Sequence, residues 1–312
     1  MTEQPLVSVI MNCFNGEKYL REAIDSVIAQ TYQNWELIFW DNQSTDSSAE
    51  IVKSYDDPRI YYFHASQHTL LYEARNYAVE RSNGEFLAFL DVDDWWAPNK
   101  LLLQVPFFED ETVGLVCGNY EVFYEESNWS RPQWPVQKPS GFILNELLED
   151  YHIGLLTIMI RRSAYDRVGG FDSRYHVIGD FDISLRTAES WQIKTLNQTV
   201  AHFRMHGANE SIKKRKLHLE ELRKWSEEAK VRLPESALTS IKSLEKLILY
   251  LEGQNAADVG NFLVLLQKLQ QLFPSRWFNK LIIQNIIPNP LLLSVRQFLD
   301  KSFGPTRQIA KQ

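Results

Sequence analysis

The chain has 312 residues, 44% of them hydrophobic and 23% charged, a composition that fits a globular protein with a sizeable core and excludes disordered and fibrous classes. Its formal net charge of −7 is unevenly divided: residues 1–212 hold 16 Lys and Arg against 31 Asp and Glu, and residues 213–312 hold 17 against 9. The acidic part repels nucleic acid unless a cation intervenes, and the two cysteines, Cys13 and Cys117, exclude a disulfide framework and a Cys-based zinc site.

The chain opens without a basic segment ahead of its first apolar run, unlike a secretory signal, so a cytoplasmic location with reduced thiols is expected. Residues 6–11 (LVSVIM) predict a strand that ends in the turn signal Asn12-Cys13-Phe14-Asn15-Gly16. Tyr19, Leu20, Ala23, Ile24, Val27 and Ile28 recur at helical spacing. A second strand, 35–40 (WELIFW), closes on DNQSTD at 41–46, a polar cluster suited to capping a helix that begins near Ser47. A third strand is expected at 60–63, a helix at 70–81, and a fourth strand at 86–90 (FLAFL), ending at Asp91. Pro98 is placed to open the next helix. The Pro-rich segment 127–141 reads as a long loop, and an apolar run (155–160), the turn VGGFD (168–172) and GDFDISLR (179–186) follow it. From Lys213 the pattern becomes leucine-rich and helical.

Strand–helix alternation predicts right-handed βαβ units in a mostly parallel sheet with helices on both faces, a Rossmann-like α/β class. The ligand crevice of such a sheet lies beyond the carboxyl ends of its strands. Asn12 and Asn15, Asp41 and Asp46, and Asp91, Asp93 and Asp94 each follow a predicted strand, which brings them to one sheet edge. Three carboxylates within four residues repel one another. A hard divalent cation, Mg or Mn, held by oxygen ligands and substrate phosphates relieves this; a solvated cap on the Pro98 helix is the plainer alternative. A planar aromatic at Phe14 beside the carboxylate of Asp41 suits a nucleobase, by stacking and by accepting a base N–H. Arg75, in EARN at 73–76, is placed either to meet ribose or diphosphate, or to sit in solvent paired with Glu73 or Glu80.

The segments VSVIMNCFNGEKYLREAIDSVIAQTYQNWELIFWDNQSTD, EARN, GEFLAFLDVDDWWAPNKL, VGGFD, GDFDISLR and FRMHGANES run in order over residues 5 to about 211. Together they resemble an inverting glycosyltransferase of family 2, with the GT-A fold. The resemblance implies that Phe14 stacks on the donor base, that Asp41 recognises it, and that Asn15 belongs to the same site. It implies that Asp91 and Asp93 are the D-x-D pair, Asp93 as direct metal ligand and Asp91 on ribose or a metal-bound water. It also implies that Asp180 is the catalytic base, that His206, in the segment after Arg204, contacts the diphosphate or metal, and that Arg204 belongs to the nucleotide-sugar site. Two departures stand out: DNQSTD replaces the usual DDGSTD, and Gly179 stands where the family usually has Glu. Asp182 is therefore the reserve candidate for the base.

Such an enzyme takes a nucleotide-sugar donor, UDP-linked on the resemblance, and a glycan or lipid-linked acceptor. Trp129 and Trp134 are placed to line the acceptor groove or simply to pack the loop. Two rival readings are a non-catalytic nucleotide- or sugar-binding module and a haloacid-dehalogenase-like phosphatase, whose D-x-D lies near the start of its domain; no G-x-G-x-x-G follows the first strand, which disfavours a dehydrogenase. The expected organisation is a catalytic domain at 1–212 and a helical C-terminal region at 213–312. For that region, Lys213-Lys214-Arg215-Lys216 and the pattern Trp277, Phe278, Leu281, Ile282, Ile286 suggest peripheral contact with anionic lipid, and packing on the catalytic domain or in a homodimer is the alternative. Residues 281–295 are too short and too broken by Pro and Asn to span a bilayer.

Overall fold

The structure, a computed structural model, describes residues 4–207, 209, 213–273 and 275–285. The chain forms two compact units, Met1–His218 and Leu219–Gln312. In the first, β1 (Val7–Cys13), β2 (Trp35–Asp41), β3 (Ile60–His64) and β4 (Phe86–Phe89) run parallel in the order β3-β2-β1-β4. They are joined through α1 (Leu20–Ile28), α2 (Ser48–Lys53) and α3 (Leu71–Glu80). Every residue of β1, β2 and β4 is buried, as strands covered on both faces must be. In α1, Leu20, Ala23, Ile24 and Val27 lie at i, i+3, i+4 and i+7 and all enter the core.

The chain visits β2 and β3 on one side of β1 and then returns to β4 on the other. That reversal makes the β1/β4 boundary the topological switch point, where the strand ends diverge and leave a crevice. Phe14 and Asn15 leave β1 there, and Asp91 to Asp94 leave β4.

The chain continues through β5 (Trp95–Trp96), α4 (Lys100–Gln104), β6 (Val113–Tyr124), β7 (Trp129–Pro132), α5 (Leu144–Glu149), β8 (Met159–Arg161), α6 (Arg162–Arg167), α7 (Gly179–Ala188) and β9 (Gln192–Met205). Beyond β4 the sheet runs β8-β6-β9-β5, with β7 paired to β6. Pairing here is mixed: β8 is antiparallel to β4 and to β6, while β6 and β9 are parallel. Two local expectations are corrected. Pro98 lies in the turn before α4, where its carbonyl accepts the Thr31 N–H at 2.8 Å, and the helix starts at Lys100. The expected loop at 127–141 contains β7, an antiparallel partner of β6, and Pro132 is tolerated because it ends an edge strand.

The second unit holds most of α8 (Arg215–Arg232), then α9 (Leu238–Asp258), α10 (Phe262–Leu272) and α11 (Arg276–Asn285). Its core joins Tyr250, Ala256, Leu265, Leu269, Leu272 and Leu281, with Trp277 and Phe278 packed against them. The Trp277/Phe278/Leu281 pattern therefore serves this core and does not form a free lipid-facing stripe; the side chains of Ile282 and Ile286 lie outside the described residues. No helix among the described residues is long and apolar enough to cross a membrane.

Candidate active site

The loops after β1 and β2 are clasped together by side chains. Asn15 takes a left-handed backbone (φ 56°), which asparagine tolerates better than most residues. Its Oδ1 accepts from the Thr45 N–H at 2.8 Å, and its own N–H donates to Ser44 Oγ at 3.0 Å. Gly16 N–H donates to Ser48 Oγ, Glu17 N–H to Asp46, and Ser47 N–H back to Glu17. The clasp leaves Phe14 53% exposed, its ring edge-on to His68 at 4.5 Å. An aromatic held out of the core at a switch point is a surface on which a flat ligand can stack. Asp41, by contrast, is fully buried; it accepts from Ser44 N–H and from the Tyr62 hydroxyl, both at 2.7 Å.

The departures in DNQSTD have a local physical account. Asn42 Nδ2 donates to Thr69 O at 2.8 Å while its Oδ1 accepts the Thr69 N–H at 3.1 Å. An ionised aspartate has no proton to donate and could make only the second bond. Gln43 sits at φ 70°, a conformation glycine adopts freely, and its amide donates to Ser66 O at 3.0 Å. Both side chains fasten the loop that carries His68 against Phe14, a partner the sequence did not reveal.

After β4 the carboxylates separate by environment. Asp91 is partly exposed and pairs with Arg75 at 2.5 Å. Arg75 is buried beside the rings of Tyr72 and Phe171, so neither a solvated Arg75 nor a Glu73 or Glu80 partner is realised. Asp93 meets His206 Nε2 at 3.1 Å; burial first, and then the nearby Asp91 charge, push its carboxyl above the usual range. Asp94 is buried and accepts the Arg204 N–H at 2.8 Å.

Arg204, expected in the nucleotide-sugar site, is closed in by protein groups. Its guanidinium donates to the Asp93 carbonyl at 3.1 Å and to Glu22, and it lies against the rings of Tyr19, Trp95 and Phe123. It staples the 91–94 turn to α1 and β9. His206 is held in turn by Asn209, whose Oδ1 accepts the His206 N–H at 2.6 Å and whose amide donates to Arg204 O at 3.0 Å. Neither Glu22 nor Asn209 stood out in the sequence, because a lone polar residue in a helix or loop carries no spacing signal.

Asp180 lies in the first turn of α7. Burial raises its carboxyl to about 6, against the lowering effect of Arg75. Arg75 therefore acts electrostatically on both Asp91 and Asp180, and so links the D-x-D turn to α7. The reserve candidate Asp182 is buried in an ion pair with Arg186, which also donates to Gly170 O at 2.8 Å and so pins the VGGFD turn; its carboxylate is committed to the fold. Trp134 is buried with its indole N–H on His152 O at 2.9 Å, so it packs the loop; Trp129 is exposed and stacks on Tyr124.

Asp91 and Asp93 supply the carboxylate oxygens that suit Mg or Mn, with the imidazole of His206 beside Asp93. No group of three or more His, Cys, Asp and Glu side chains among the described residues is arranged to hold a metal on its own.

A sequence profile described as Glycosyl transferase family 2 matches residues 8–169. The UDP-Glc:alpha-D-GlcNAc-diphosphoundecaprenol beta-1,3-glucosyltransferase WfgD of Escherichia coli is 35% identical over 158 residues, 51% of this chain and 61% of that protein. The chain thus aligns with less than two thirds of that relative's length. Among solved structures, TarS 1-349 of S. aureus in complex with UDP-GlcNAc superposes with a TM-score of 0.66 at 16% identity, over 94% of this chain and 84% of that one. The mannosyltransferase PcManGT from Pyrobaculum calidifontis, in complex with GDP-Man and Mn2+, gives 0.63 at 18% identity, over 96% and 89%. The sheet and its flanking helices are those of the GT-A glycosyltransferases.

Proposed function

Starting from the membership of this chain in glycosyltransferase family 2, we propose that it moves a sugar from a nucleoside-diphosphate donor to an acceptor hydroxyl with inversion at the anomeric carbon, in glycan synthesis. The observation that carries the reading is geometric: Phe14 stands exposed where β1 ends, Asp91 and Asp93 leave the neighbouring β4 held by Arg75 and His206, and Asp180 lies in the first turn of α7, its carboxyl raised to about 6 by burial. A base near neutral pKa is ionised at the working pH and still basic enough to take a proton.

In this reading Phe14 stacks on the base and Asp41, with Asn15 in the clasp, forms the floor beneath it. Asp180 removes the proton of the acceptor hydroxyl as its oxygen bonds to the anomeric carbon. The bond from that carbon to the diphosphate breaks on the opposite face, and its electron pair leaves with the diphosphate. One displacement inverts the centre, by the facial logic that also governs inverting hydrolases. Asp91, Asp93 and His206 would hold a divalent cation, which supplies neutralising charge to the departing diphosphate. Arg75 fixes Asp91 and sets the field on Asp180; Arg204 fixes the turn. The catalytic work belongs to residues 1–212, with 213–312 as a helical accessory region.

A UDP-hexose is the favoured donor and a lipid-linked diphosphosugar the favoured acceptor, because the E. coli relative is named for that pair. The test is release of nucleoside diphosphate by the full-length protein from UDP-Glc, UDP-GlcNAc or GDP-Man, with Mn2+ and a GlcNAc-diphosphopolyprenol. We expect acceptor-dependent UDP release that Asp180→Asn lowers by about 10²- to 10⁴-fold. Binding of UDP without turnover of any donor would favour the non-catalytic module, and phosphate-ester hydrolysis without donor turnover would favour the phosphatase.

A further inference from the structure

The family position usually held by Glu is Gly179 here, and the structure shows what fills the space. A Cβ built on Gly179 would come within 2.6 Å of the Tyr72 ring, closer than such atoms ever approach. Tyr72 is on α3, is buried, and packs on Phe171 with ring centroids 5.2 Å apart. Its hydroxyl lies 3.1 Å from Val177 O, 3.4 Å from Asp180 Oδ1 and 3.4 Å from the Asp180 N–H. A hydroxyl donates one proton and accepts through two lone pairs. It therefore donates to Val177 O or to the Asp180 carboxylate while accepting from the Asp180 N–H. One phenol thus touches the carbonyl before α7, the backbone of Asp180 and its carboxylate. The same residue sits one helical turn before Arg75, whose guanidinium lies 5.0 Å from the Tyr72 ring. The helix that carries the D-x-D counter-charge therefore also carries the group seated against Asp180.

We propose that Tyr72 is a positioning residue for Asp180, and that Gly179 and Tyr72 form a matched pair in which the ring takes the volume that a side chain at 179 would need. The proposal rests on Asp180 as the base. Tyr72 does not touch the reacting atoms; it fixes the first turn of α7, so that the carboxylate points at one place. A displaced catalytic group loses rate without loss of donor affinity.

The test uses full-length protein and the donor–acceptor assay above. Tyr72→Phe keeps the ring and removes the hydroxyl; kcat should fall about tenfold while the Kd for UDP, by calorimetry, stays within about twofold. In an Asp180→Glu background, where the carboxylate is already displaced, Tyr72→Phe should change kcat by less than about twofold. Gly179→Ala should lower kcat by more than about tenfold in the wild type and by less than about threefold in a Tyr72→Ala background, because the clash is gone. Wild-type kcat in Tyr72→Phe, or an undiminished loss in the Asp180→Glu background, would overturn the proposal. If Gly179→Ala does not fold, the Tyr72→Phe arms decide alone. Asp180→Asn with wild-type kcat would instead refute the base itself, a separate outcome.

Discussion

Asp180 illustrates how one carboxyl is set by its surroundings. Burial raises it to about 6, so kcat/KM should climb as pH rises through about 6 and level off above, provided acceptor-dependent transfer is the step measured. The stability consequence has the opposite sign. A carboxyl raised in the fold above its unfolded value of 3.8 favours folding fully only below that value, and the contribution is lost as pH climbs through about 6. Asp180→Asn should therefore raise stability at pH 8 by up to about 3 kcal/mol, read by urea unfolding, while it abolishes most transfer. A variant that is both inactive and less stable would count against this. Phe14 should behave differently: it is half exposed, so Phe14→Ala should cost less than about 0.5 kcal/mol of stability. The same change should weaken UDP binding by about 1–3 kcal/mol, if the ring stacks on the base.

At the scale of elements, the parallel βα units were legible because buried strands read as apolar runs and α1 as a periodic face. The strand-end carboxylates were legible for the same reason, since the runs fix where the edge falls. What a strand end could not show is depth: Asp41 and Asp91 occupy equivalent places, yet Tyr62 from the neighbouring strand seals the first and leaves the second open. The setting of Arg204 was not legible because its three aromatic neighbours come from segments far apart in the chain. Tyr72 falls inside the expected helix at 70–81 with no signal of its own, and only the tertiary fold brings its hydroxyl to Asp180. Trp129–Pro132 looked like loop because Pro and polar residues dominate it, but an edge strand needs few N–H donors. The contacts of Arg204 carry a clear expectation. Arg204→Ala should destabilise the protein by about 2–3 kcal/mol, since it strips charged hydrogen bonds from the Asp93 carbonyl and Glu22. A variant of unchanged urea midpoint but weakened donor binding would restore Arg204 to the nucleotide-sugar site.

For the molecule as a whole, the acidic excess of residues 1–212 gains a partial explanation, since Asp41, Asp91, Asp93, Asp94 and Asp180 gather on the parallel-strand edge and the first turn of α7. Such a cluster of carboxylates, part of it buried, repels a bare diphosphate and admits a metal-chelated one. Chelation of divalent cations should therefore weaken UDP binding at least about tenfold, as read by calorimetry with and without EDTA. The second unit has its own core and contributes none of these carboxylates. The central claim, a single displacement driven by Asp180, is tested most directly by the configuration of the product. With an α-linked UDP-hexose and a diphosphosugar acceptor, the proton NMR spectrum of the isolated product should show a β-linked anomeric centre. An α-linked product would contradict the account.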